Sequence, residues 1–205
     1  MITNHRSVSQ DVQLYWFPVG GGSSNCTRPS VRFHMDAATW YYWPDLAAQV
    51  LNAAGLGAVV VAAVDSNGNL DPNGVIDGFS RIWTFIPGGS GSVSQSFVSE
   101  SLNLDQGLQN AYGLEQDSAF RTNVGIFNYD LVQRTFYVHV SGANGSGDAT
   151  FTVDACNVVL GSAPAGSYGP MAVFLRAADG RGLWYGFASS VDNLSGASWS
   201  SVAHP

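Results

Sequence analysis

The chain has 205 residues, 45% of them apolar and only 11% charged, and carries a formal net charge of −7. It contains no lysine, and its eight basic residues are all arginine. So acidic a chain lacks the basic face that nucleic acid or an anionic membrane surface requires, while six Trp, eight Tyr and eleven Phe exclude a disordered chain.

The opening MITNHRSVSQ has no basic segment followed by an apolar run, so the chain reads as mature or truncated, not as starting with a secretory leader. Residues 12–19 (VQLYWFPV) are rich in the aromatic and β-branched types that suit a pleated surface. Residues 44–54 (PDLAAQVLNAA) predict the one clear helix, with Pro44 in its first turn and Gly55 as its stop. The continuous apolar run 58–64 (AVVVAAV) predicts a strand buried on both faces or central in a sandwich. Residues 79–86, 120–127, 134–140, 149–155, 171–177 and 183–190 also read as strands. Between them lie the turn clusters DSNGNLDPNG, SGANGSGD and ADGRG. Residues 101–114 predict a short turn of helix at a junction. No stretch reaches the ~20 apolar residues of a membrane helix, so no membrane insertion is expected.

The pattern also repeats. Ile2–Asn4 and the strand after it resemble Ile126–Asn128 and its successor; Gly57 with 58–64 resembles Gly169 with 171–177; Gly78–Phe79–Ser80 resembles Gly186–Phe187–Ala188. A period of about 110 residues is that of one immunoglobulin-sized sandwich. The expected fold class is therefore all-β: two tandem immunoglobulin-like β-sandwich domains with one short helix in the first. The expected domains are residues 1–100, a junction at 101–117, and residues 118–205. The first copy lacks most of the opening strand that residues 118–127 supply to the second. Either the chain is cut there, or a strand from another subunit fills the gap.

Ser118–Asn128 (SAFRTNVGIFN) and Trp184–Ser195 (WYGFASSVDNLS) resemble two signatures of tandem immunoglobulin-like repeats in secreted bacterial surface proteins, roughly "FRTNLGLVN" and "AYASVVDNxTGD". The resemblance implies a fold and an extracellular or cell-surface address, not a reaction. Gly196–Ala197 stands where the second signature closes with Gly-Asp.

Candidate sites are few. Asp65, Asn67, Asn69, Asp71 and Asp77 place oxygen ligands at alternating positions, as calcium loops do. The loop fails as an EF-hand, with Leu70 where glycine is needed and Ile76 where a glutamate is needed, and a polar hairpin is the competing reading. Beyond calcium no cofactor is implied. Cys26 and Cys156 permit one disulfide, or two free thiols. Trp40, Tyr41, Tyr42 and Trp43 form an aromatic run that either stacks on a ligand such as carbohydrate or plugs the sandwich end. His5, His34, His139 and His204 show no metal-ligand spacing, and neither a GxSxG elbow nor any lysine offers a nucleophile. The expectation is a secreted, non-catalytic module that self-associates into a homo-oligomer, filament or surface assembly by β-strand complementation, with a carbohydrate- or surface-binding adhesin module as the alternative.

Overall fold

The computed structural model describes residues 1–21, 26, 28–85, 92–99 and 107–203, which fold as four antiparallel sheets and one turn of helix. The all-β class expected from the sequence holds. The chain divides into two compact units. Unit 1 comprises Met1–Val19, Thr27–Ser80 and Phe97–Glu100, and unit 2 comprises Gly20–Cys26, Arg81–Ser96 and Ser101–Pro205.

The strands that lie wholly or partly in unit 1 are β1 (Ile2–Asn4), β2 (Gln10–Pro18), β3 (Ser30–Met35), β4 (Trp40–Tyr41), β5 (Gly57–Val64), β6 (Ile76–Phe85) and β7 (Ser92–Val98), with α1 (Leu46–Gln49) between β4 and β5. They form two antiparallel sheets, ordered β4-β1-β6-β7 and β3-β2-β5. Along β2, Val12, Leu14 and Trp16 point inward, as period-two alternation requires, and join Ile2, Met35 and Leu51 in one core. Asn4 closes this core at the end of β1. Its Nδ2 donates to the carbonyls of Val8 (3.1 Å), Asp36 (2.8 Å) and Met35 (3.5 Å), and its Oδ1 accepts from the Arg6 N–H.

Unit 2 contains β8 (Gln109–Gln116), β9 (Phe120–Asn128), β10 (Arg134–Gly142), β11 (Gly145–Val153), β12 (Asn157–Ser162), β13 (Gly169–Ala177), β14 (Trp184–Asp192) and β15 (Ser198–Val202). Its sheets are ordered β12-β9-β14-β15 and β11-β10-β13-β8. Replacing β1–β7 by β9–β15 in turn converts the unit 1 orders into these, with β8 as the one addition. Val124 and Ile126 from one sheet and Phe136, Val138 and Leu175 from the other share a core with Trp184, whose ring centroid lies 5.1 Å from that of Phe136. Asn128 repeats the part of Asn4, donating to the carbonyls of Val132, Val153 and Asp154 at 2.8, 3.0 and 3.0 Å. Cys156 and Ala38 hold the same left-handed backbone, φ 50° in each, and bond Asp130 O and Arg6 O respectively.

Four expectations are corrected. The helix predicted over 44–54 is one turn long and begins after an Asp45 cap, whose side chain accepts from Ala48 N–H. It ends at Gln49 with Val50 as its cap, and Asn52 then turns left-handed at φ 48°, so Pro44 lies before it and Gly55 well beyond it. The turn of helix predicted within 101–114 is, over its described part, strand β8, whose pairing with β13 outweighs local propensity. The apolar run 58–64 is not central: β5 lies at the end of its sheet. Finally, β5 pairs Gly57 with Pro18, and β13 pairs Met171 with Gly142. The positional counterpart of Gly57 is thus Met171 and not Gly169, which adopts φ +64° as it leaves the preceding turn.

Candidate interaction surface

The β5 edge is set by backbone alternation. On the β2 side Val19 N–H donates to Leu56 O (2.9 Å), and on the far side Asp71 N–H donates to Ala63 O (3.0 Å). Even-numbered residues of β5 therefore turn their backbone groups toward β2, and Gly57, Val59, Val61 and Ala63 turn theirs away. The hairpin that follows, with its Val64–Leu70 bridge, covers only the Ala63 end. Among the described residues no strand pairs with Gly57–Val61 on that side. The strand has no charge, proline or bulge to blunt the edge, and Gly57–Ala63 are all half-buried. An open groove of about 380 Å³, lined by Val61, Ala63, Leu70, Asp71, Pro72, Gly74 and Ile76, adjoins it. The opposite edge, β3, is defended: Arg32 and His34 stand on it, and both bond Asp11. These partners, Arg32 first, hold the Asp11 carboxyl below its ordinary range.

In unit 2 the corresponding edge is closed. β8 pairs with β13, and several of its outward backbone groups are met from the other sheet. Tyr112 N–H donates to Ser201 Oγ (3.1 Å), Glu115 N–H to Ser190 Oγ (2.9 Å), and Trp199 Nε1 to Gly113 O (2.7 Å). Gln109 reaches across to accept from Gly186 N–H (2.9 Å). In unit 1 the matching Gly78 N–H is met by Ser99 Oγ at 2.8 Å, so that donor is satisfied without a strand beside β5.

The aromatic run splits by strand alternation. Tyr41 and Trp43 turn toward Phe33, with centroids 5.9 and 5.4 Å away, and Trp43 packs on the unit 1 core. Trp40 and Tyr42 turn outward and are 63% and 64% exposed. Trp40 lies opposite Thr3, which lies opposite Asp77, so ring, hydroxyl and carboxylate form one cross-strand row.

The three aspartates of the candidate calcium loop have separate partners. Asp65 folds back on its own loop, accepting from the N–H groups of Asn67 (2.8 Å) and Asn69 (2.9 Å), and the Asn69 bond leads in holding its carboxyl below the ordinary range. Asp71 pairs with Arg6 and Asp77 with His5, each at 2.9 Å. Among the described residues no group of three or more His, Cys, Asp or Glu is placed to hold a metal ion. Each described histidine has one aspartate partner, the third being His139 with Asp148; His204 lies outside the described residues.

Cys26 and Cys156 form a disulfide with Cα atoms 5.3 Å apart. Nearby, Gly20 N–H donates to Val158 O (3.0 Å) of the edge strand β12. In unit 2 Asp130 binds Arg134 through both Nε and Nη2, an arrangement that holds the Asp130 carboxyl low. No helix among the described residues is long and apolar enough to cross a membrane. No protein-family model, curated protein or solved structure matches the chain.

Proposed function

We propose that the chain is a non-catalytic structural module of two tandem immunoglobulin-like sandwiches, acting outside the cell in a filament or surface assembly, and that it joins its neighbours by accepting a β-strand at the edge of β5. The open apolar edge along Gly57–Val61 carries this reading. Its counterpart in unit 2 takes a strand at that position, which supports the view that the topology is complete with an eighth strand. The matching strand orders support the tandem reading, and the low charge suits contacts in which few ions must be desolvated. Adding a strand supplies main-chain hydrogen bonds and seats alternate side chains over an existing core.

A labelled peptide spanning Gln109–Gln116, offered to the intact protein, tests the reading: it is expected to bind, and to bind more weakly when Val61 is replaced by proline. An edge that takes up neither peptide nor any other chain overturns it.

The exposed pair Trp40 and Tyr42 favours a second reading, a carbohydrate-binding module, because aromatic faces stack on sugar rings. A glycan array in which the W40A/Y42A variant loses every signal of the parent protein supports it, and a blank array for the parent removes it.

A further inference from the structure

We infer that the strand accepted by β5 is β5 of a second copy, so that two chains pair antiparallel about Val59 and make one continuous sheet, β3-β2-β5-β5-β2-β3. This rests on the proposed strand-accepting edge and names its occupant.

Several observations converge on a second copy. Every described strand of the chain already has a place in a sheet, so none is free to be lent to a neighbour. β5 is uncharged along its whole length, and GAVVVAAV meets itself without opposing like charges or unpaired polar side chains. The free window also fits its own reverse. With Val59 on a twofold axis, Gly57 lies opposite Val61 of the partner subunit, and both residues direct their backbone groups outward. Each of these pairs exchanges two hydrogen bonds. The Asp65–Asp71 hairpin of one copy then falls beyond Gly55 of the other, where the chain has already left the strand in a left-handed turn (φ +88°). Residues directly opposite in an antiparallel pair point to the same face, so on the face that packs on the unit 1 core Val59 meets its own equivalent and Val61 covers the facing glycine, which extends that core. The β8–β13 ladder shows the geometry at work: Val173 and Leu175, at the positions of Val59 and Val61, pair with Ala111 and Gln109. Pairing about a twofold axis is isologous and closes at two copies.

Sedimentation velocity over a wide concentration range, with three variants, tests this. The wild type is expected to pass from monomer to dimer and no further. Val59→Pro deletes an N–H that points away from β2, a change an edge strand tolerates, and it is expected to weaken dimerisation at least tenfold with unchanged circular dichroism. Val59→Cys places two thiols on the axis about 5.5 Å apart between Cα atoms, within disulfide range, and is expected to yield a covalent dimer on oxidation. Val60→Cys, lying off the axis, is expected not to. A wild type that stays monomeric while binding the Gln109–Gln116 peptide overturns self-pairing but leaves the strand-accepting edge standing. Open-ended oligomers lost with Val59→Pro do the same. A monomer that binds no peptide and forms no V59C dimer overturns both.

Discussion

In unit 2 the sheet edge beyond β13 is taken by β8, and the outer face of β8 is in turn stitched to the opposite sheet by Ser190, Ser201 and Trp199. In unit 1 the same topology stops one strand earlier, at a β5 that is as apolar as β13 but has no neighbour on its outer side among the described residues. The difference teaches that an apolar run reports what its side chains need, not whether its backbone is paired within the chain. On the proposed reading, a second chain supplies what β5 lacks.

The two units are expected to answer separately to substitution. The largest effect is expected from Trp184→Ala, which empties the centre of the closed unit 2 core at a cost of about 3–5 kcal/mol. Urea unfolding followed by unit 2 aromatic signals should show it while unit 1 keeps its midpoint. Replacing both Cys26 and Cys156 by serine should cost about 2–5 kcal/mol, again in unit 2, because Ala38 fills the matching backbone position of unit 1 and no bridge forms there. Equal losses in both units would show that they unfold as one. Asn128→Ala and Asn4→Ala should each cost about 2–3 kcal/mol, since each leaves buried carbonyls without their shared donor. Matching losses would mark the two asparagines as one device used twice, and a neutral Asn4→Ala would break that parallel.

The smallest effect concerns acid. Asp11 and Asp130 have carboxyls held below their ordinary range by Arg32 and Arg134. Such groups stabilise the fold above the unfolded carboxylate value, about 4, and the gain is lost as pH falls through the folded value. Melting temperature should be level from neutral pH down to about 5 and drop below about 4. Asp130→Asn should flatten the drop in unit 2, and Asp11→Asn should flatten it in unit 1.

How much of this was legible in the sequence depends on the length of each signal. Strands of nine residues such as β2, β9 and β13 carry enough aromatic and β-branched residues to be read directly. β1 and β4, with three and two residues, are too short to show alternation and exist because their neighbours pair with them. β8 reads QNAYGLEQ, rich in amide side chains, because Gln109 and Gln116 bridge the sheets by accepting from the Gly186 and Thr122 N–H groups where an apolar residue would pack. Nothing in the local sequence announces that. The Asn4–Asn128 pairing was visible as a repeated residue, but its role depends on carbonyls some 25 to 32 residues away. The candidate calcium loop shows the converse: its oxygens alternate in the sequence, yet Asp65 is engaged by backbone N–H groups, Asp71 by an arginine and Asp77 by a histidine. The aromatic run could not be divided into inward and outward rings until β4 was placed beside β1.

On the proposed pairing β5 has a free edge in one chain and a covered edge in two. Hydrogen exchange resolved to the peptides containing Val59 and Val61, measured at high and low protein concentration, tests it most directly, with the peptides containing Val173 and Leu175 as the internal standard. Fast exchange at Val59 and Val61 on dilution, protection on concentration, and steady protection at Val173 and Leu175 is the predicted result. Protection of Val59 and Val61 at every dilution would contradict it, because the edge would then be closed within the single chain.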